Sequence, residues 1–151
     1  MEFNRGNKEM ERHKKIVVDA SVVIKWFVEE DHTERSIKIL EDYFEGTIVV
    51  YSTQLMPYEV INALRYNPEM GKDDLTNVSD TLKKLKLNLY PIIDDLYTST
   101  ISLAMDFGTT IYDASYLALS NSLEAVLYTA DQKFLNKVLK NGNLSHVSRY
   151  S

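Results

Sequence analysis

The chain contains no cysteine. Disulfides, zinc–thiolate centres and thiol nucleophiles are therefore excluded, and nothing calls for an oxidising compartment. Proline and glycine are scarce, at three and five residues, and they do not cluster, so no flexible linker divides the chain. No apolar run approaches the ~18–20 residues of a membrane-spanning helix. Basic charge is not in excess either: 17 Lys and Arg stand against 22 Asp and Glu, a formal net charge of −5. At face value this balance speaks against a nucleic-acid partner, since such proteins are usually basic. What remains is a chain of 151 residues, 44% of them hydrophobic, which suits one domain with a substantial core.

The first residues are charged and lack the apolar segment of a secretory signal. Residues 1–13 read as a polar, flexible tail and 14–150 as a single domain, expected to be soluble and cytoplasmic with no membrane association. Short apolar runs rich in β-branched residues predict strands at 14–20, 47–52, 87–92 and 124–130, with a fifth at 144–150. Helical patterns lie between them. Ser21 can cap a helix carrying Val22, Val23, Trp26 and Phe27. Asp31 with Glu34 fits a capping box ahead of an Ile37, Leu40 and Phe44 stripe, with Gly46 as the stop. Pro57 fits the first turn of a third helix. Leu75, Val78, Leu82 and Leu85 share a face of a fourth. Gly108 closes a fifth, Ala114, Leu117 and Ala118 line one side of a sixth, and Gly142 closes the last. Apolar strands alternating with helices predict an α/β fold, a mostly parallel sheet of four to five strands covered on both faces. Ligands of such sheets bind beyond the carboxyl ends of the strands, where strand order reverses.

Four acids fall at such places. Asp19 directly follows Ile16, Val17 and Val18. Glu59 lies in the first turn of the third helix, Asp113 opens the sixth and Asp131 the seventh. Each could simply serve a helix N-terminus, where acids are favoured. Four such coincidences in one chain are less economical than one shared site, and Asp19 is costly at the end of a buried strand unless it has a partner. Clustered carboxylates repel unless a cation separates them, and Mg²⁺ or Mn²⁺ prefers such oxygen donors. Setting these four acids aside leaves a net charge of about −1, so the overall charge does not exclude a nucleic-acid substrate. Ser21 and Thr129 stand two residues from Asp19 and Asp131, and their hydroxyls can orient the carboxylates. Asn62 is three residues from Glu59 and can share its helical face. His13, His32 and His146 are scattered and read as surface residues.

The order D-x-S (Asp19, Ser21), E-x-x-N (Glu59, Asn62), Y-D-A-x-Y-x-A-L (around Asp113) and T-x-D (Thr129, Asp131) resembles the PIN domain nucleases. It is most similar to the compact VapC-type toxins of toxin–antitoxin pairs, over residues 14 to 150. The resemblance implies a three-layer α/β/α sandwich and a Mg²⁺- or Mn²⁺-dependent endoribonuclease with Asp19, Glu59, Asp113 and Asp131 as its catalytic and metal-binding acids. Ser21, Asn62 and Thr129 fall on supporting positions. The chemistry implied is in-line hydrolysis, in which one ion activates a water and a second stabilises the departing 3′ oxygen. It further implies a homodimer and a protein antitoxin whose arginine enters the acidic site. Trp26, Phe27, Tyr43 and Phe44 are the expected apolar contact surface. Lys25, Arg65, Lys133 and Lys137 flank the motifs and are the candidate contacts to RNA phosphates. Other readings are a PIN nuclease of RNA processing, a PIN fold that only binds partners, and a phosphoacceptor receiver domain. The last lacks its expected lysine after the final strand.

Overall fold

The computed structural model describes residues 13–138 and 143–151. The proposed N-terminal tail falls almost wholly outside these residues, as does Gly142. Five parallel strands form one sheet in the order β3-β2-β1-β4-β5. They are β1 (Lys14–Val18), β2 (Ile48–Thr53), β3 (Asn88–Tyr90), β4 (Val126–Thr129) and β5 (Leu144–His146). Seven helices connect them: α1 (Ala20–Ile24), α2 (Thr33–Glu45), α3 (Met56–Arg65), α4 (Lys72–Leu85), α5 (Asp94–Phe107), α6 (Ile111–Leu123) and α7 (Gln132–Lys137). A 3₁₀ turn, Val147–Arg149, replaces the last part of the expected fifth strand.

β1 is central. Ile16 pairs with Val50 on one side and Val126 on the other. Ile16, Val17 and Val18 are all fully buried. Successive side chains of a strand point to opposite faces, so both faces of the sheet are covered, as the continuous apolar run required. The chain first builds outward from β1 through β2 to β3, then returns to the other side of β1 with β4 and β5. The reversal falls between β1 and β4, beside Asp19.

α6 has an unbroken buried run from Ala114 to Ser120, broader than the single face that Ala114, Leu117 and Ala118 suggested. It packs against β1, β2 and β4, and pairs with α5. α4 buries Val78 and Leu82, with Leu75 and Leu85 half-covered, as its periodicity predicted. Gly46 and Gly108 end α2 and α5 with φ of 76° and 65°, a conformation that costs a residue without Cβ little.

Three local expectations are corrected. The first concerns α1, which Asp19 caps rather than Ser21, its carboxylate accepting from the Val22 N–H. The Ser21 hydroxyl is used elsewhere. Second, α2 begins after His32, at φ 64°, instead of through an Asp31–Glu34 box, and the Thr33 hydroxyl takes the Glu30 N–H at 2.8 Å. Third, the buried stripe of α2 runs through Ser36 and Ile39, while Phe44 is 67% exposed. Ser36 can be buried because its hydroxyl donates to the Val22 carbonyl at 2.6 Å, and its own carbonyl accepts the Trp26 indole N–H at 2.8 Å. Trp26, Phe27 and Tyr43 consequently pack against the core and do not form an exposed patch. Among the exposed large apolar residues, Ile93, Tyr97, Ile101 and Met105 recur every four positions, from the N-cap of α5 along the helix. Among the described residues no helix is long and apolar enough to cross a membrane.

Candidate active site

Asp19, Glu59, Asp113 and Asp131 line one small cavity of about 180 Å³, together with Ala20, Ser21, Ile24, Ala63 and Tyr116. It lies at the carboxyl ends of β1 and β4. β1 delivers Asp19 as its polypeptide turns into α1, and β4 delivers Asp131 as it turns into α7. α3 and α6 supply Glu59 and Asp113 from their first turns.

The choice between helix cap and ligand dissolves at the level of single atoms. Asp19 Oδ1 accepts both the Ser21 hydroxyl at 2.5 Å and the Val22 N–H at 3.2 Å. Asp131 Oδ1 accepts the Phe134 N–H at 3.1 Å. Capping thus engages one named oxygen of each carboxylate and fixes its rotamer while the group faces the cavity. Asp113 is not a cap: Thr110 takes that role, accepting the Asp113 N–H at 3.0 Å. Ser21 Oγ receives the Ala130 N–H at 2.8 Å and stands 3.3 Å from Thr129 Oγ1, which itself accepts the Asp131 N–H at 3.1 Å. These two hydroxyls tie the end of β1 to the end of β4, so the supporting positions expected of Ser21 and Thr129 coincide with real contacts.

The electrostatics are those of a crowded acidic site. Burial pushes the Asp19 carboxyl up to about 7, against the opposing effect of its bonds from Ser21, Thr129 and Val22, and the Asp113 charge pushes the same way as burial. Asp113 is also raised, by burial and then by the Asp131 charge, while Thr110 and Lys137 hold it down. Glu59 is raised by burial and by Asp113, and lowered by the Tyr116 hydroxyl that donates to its Oε1 at 2.7 Å. Each of these shifts is led by burial, and the neighbouring acid charges add to it. Among the described residues no three His, Asp or Glu side chains converge tightly enough to form a ready-made ligand group. The acids instead surround a space with room for several waters. That suits a hard cation that keeps part of its hydration shell better than one stripped of water.

Several expected residues lie elsewhere. Asn62 does not line the acidic cavity. With Tyr58, Ile61 and Arg65 it lines a larger groove of about 1000 Å³ between α3 and α4. Ala63, four residues from Glu59, takes the place on the cavity wall. That larger groove holds none of the four acids, so its size does not make it the seat of the chemistry. Lys25 is buried and paired with Glu30 at 3.4 Å, so its charge is already engaged within the protein. Arg65 lies over the Tyr66 ring at 5.7 Å. Lys133 is exposed on α7. Lys137 is anchored to the Gly108 carbonyl at 2.9 Å, close enough to Asp113 to favour its charged form. His32 and His146 are not scattered: their rings meet edge-on at 5.4 Å beside a separate cavity that Lys25 also lines. Tyr116 is the site residue that the sequence reading passed over. It stands three positions after Asp113, a helical spacing that could have flagged it.

A parallel sheet with an acidic cavity at its switch point defines the class. Residues 16–138 match the PIN domain model, and the chain belongs to that family. Over 130 residues it is 29% identical to ribonuclease VapC3 of Pyrobaculum aerophilum, which covers 82% of this chain and 94% of that protein. A crystal structure from Pyrobaculum aerophilum is 28% identical with a TM-score of 0.60, covering 89% of this chain and 90% of the other. A toxin–antitoxin complex from Klebsiella pneumoniae aligns with a TM-score of 0.66 over 87% of this chain and 97% of that one. At 14% identity the last likeness is one of fold.

Proposed function

We propose that this protein is a metal-dependent endoribonuclease and the toxin of a toxin–antitoxin pair. The observation that carries the reading is the meeting of four carboxylates, drawn from four separate segments, on one cavity at the strand ends. The similarity to ribonuclease VapC3 supports RNA as the substrate. The fold shared with toxin–antitoxin complexes supports an antitoxin partner. The α5 stripe of Ile93, Tyr97, Ile101 and Met105 supports a homodimer, since exposed apolar surface of this kind marks an interaction site.

Asp19, Glu59, Asp113 and Asp131 would hold Mg²⁺ or Mn²⁺ between them. Such an ion supplies an activated water and neutralises charge gathering on the scissile phosphate. The chain's own residues do the rest. Ser21 and Val22 fix the Asp19 carboxylate, Phe134 fixes Asp131 and Tyr116 fixes Glu59. The acidic lining repels phosphate without the cation, so the substrate enters only a charged site that is already neutralised. Hydrolysis would leave a 5′ phosphate and a 3′ hydroxyl.

The test is cleavage of an end-labelled RNA pool by purified protein with Mn²⁺, with Mg²⁺ and with chelator, with Asp113→Asn as control. Metal-dependent cuts that vanish in the variant are the expected result. Cuts that persist in chelator, or in Asp113→Asn, would overturn the assignment of this cavity. A protein that neither cuts RNA nor binds Mn²⁺ would leave the partner-binding reading instead.

A further inference from the structure

Tyr116 is 1% exposed, in the middle of a helix buried along most of its length. Its phenol oxygen nevertheless reaches the cavity wall and donates to Glu59 Oε1 at 2.7 Å, across 57 positions of sequence. A buried phenol needs an acceptor. The acceptor here is one of the four site acids. Asp113 and Tyr116, three residues apart, leave α6 on the same side and both enter the lining. α6 is therefore rigidly placed, and it carries both an acid and the group that holds a second acid borne by α3.

Glu59 needs such a hold. A glutamate has one more rotatable bond than an aspartate. Asp19 and Asp131 are fixed by backbone N–H groups, whereas no backbone donor is recorded for Glu59 among the described residues. With Oε1 engaged by Tyr116, Oε2 is the oxygen left to face the cavity. Below this pair, at the end of β2, the Thr53 hydroxyl adjoins the phenol, and it is the one buried side-chain hydroxyl among the described residues without a good hydrogen bond. Thr53 can act on the phenol only as a weak donor to its oxygen, and the phenol's own proton goes to Glu59.

We infer that Tyr116 is a positioning residue, which commits one oxygen of Glu59 to the protein and presents the other, in a fixed orientation, to the cation that the acidic cavity binds. The inference rests on the metal-dependent nuclease reading and adds a residue to it. It acts through Glu59 and touches neither the substrate nor the reacting atoms.

The experiment compares wild type, Tyr116→Phe, Glu59→Gln and the double variant. Mn²⁺ binding is measured by calorimetry without RNA, and kcat and KM on a cleavable RNA with metal. Outer contacts of this kind typically change metal affinity or activity by ~10–100-fold. Tyr116→Phe is expected to weaken Mn²⁺ binding and lower kcat by about tenfold or more within that range, with KM for RNA changed less than about twofold. In the Glu59→Gln background the same change is expected to add less than about twofold, because the amide no longer offers the cation a second carboxylate oxygen for the clamp to orient. Wild-type Mn²⁺ affinity in Tyr116→Phe would overturn the inference, and so would an added loss from Tyr116→Phe as large in the Glu59→Gln background as in the wild type. If Tyr116→Phe does not fold, Glu59→Asp withdraws the carboxylate from the phenol and leaves the core ring in place. It must then show the Mn²⁺ loss, and unchanged affinity there would also refute the clamp. A wild type that cleaves RNA beside an unaffected Tyr116→Phe removes only this inference. A wild type that neither cleaves RNA nor binds Mn²⁺ removes the functional reading beneath it.

Discussion

Replacing Asp19 by Asn should make the metal-free protein more stable at alkaline pH while destroying its activity. Asn keeps the shape and the capping oxygen, so the bonds from Ser21 and Val22 survive, and Asn is as good an N-cap as Asp. What disappears is a charge that the buried site does not welcome. The Asp19 carboxyl is pushed from 3.8 to about 7 in the fold, chiefly by burial. Between those values the folded protein holds a proton that the unfolded chain releases, so stability falls as pH rises through this window and is flat above it. From pH 5 to pH 8 the folded group ionises over about two pH units, and at ~1.4 kcal/mol per unit this loss amounts to roughly 3 kcal/mol. For a chain of this size that corresponds to a melting shift of roughly 6–12 °C. Thermal melts in chelator at the two pH values should therefore show wild type losing that much more than Asp19→Asn. Adding Mn²⁺ at the higher pH should restore wild type, by about 3 kcal/mol at a hundredfold excess over its Kd, and leave the variant nearly unmoved. Parallel losses in the two proteins would refute the reasoning, because they would mean that Asp19 is already ionised and stabilised in the fold without a cation.

Three further outcomes follow from the same geometry. Asp113→Asn should lower kcat for RNA by at least ~100-fold, since even contacts one step removed from a metal are worth up to that, with the circular-dichroism spectrum unchanged; retained cleavage would remove Asp113 from the site. Lys137→Gln should move the acid limb of the rate–pH profile upward, because the lost cation favoured the charged form of Asp113; an unmoved limb would show that the lysine is screened. Thr53→Val should raise stability by about 1 kcal/mol, a few degrees in the melt, because it deletes a buried hydroxyl with no good partner. A loss instead would show that the hydroxyl is bonded in solution.

Much of this arrangement was legible from local signals. The run Ile16-Val17-Val18 announced a strand buried on both faces, and an acid at its end was anomalous enough to mark the site. The four-residue repeat of α4 and the glycines closing α2 and α5 read correctly for the same reason: each depends on neighbours within a turn. The failures are non-local. The stripe of α2 was expected at Ile37, Leu40 and Phe44, whereas Ser36 is buried because its hydroxyl finds the Val22 carbonyl of another helix. Asn62 was expected to share the Glu59 face at a spacing of three, whereas it lines the groove between α3 and α4 and Ala63, at a spacing of four, lines the acidic cavity. Tyr116 stood inside the Y-D-A-x-Y-x-A-L motif and one helical turn from Asp113, but its role went unread because its partner lies on α3. The His32–His146 contact, between a helix start and the last strand, was beyond any pattern of spacing.

The central place of β1 has a consequence for when this protein becomes dangerous. Asp19 is made early, but it completes a charged pocket only when β4 arrives beside β1 and brings Asp131 with it. A growing chain therefore carries its first acid long before it carries an active centre. On the function proposed above, a chain still tethered to the ribosome and surrounded by RNA would be an incomplete nuclease until synthesis has passed residue 131 and β4 has docked.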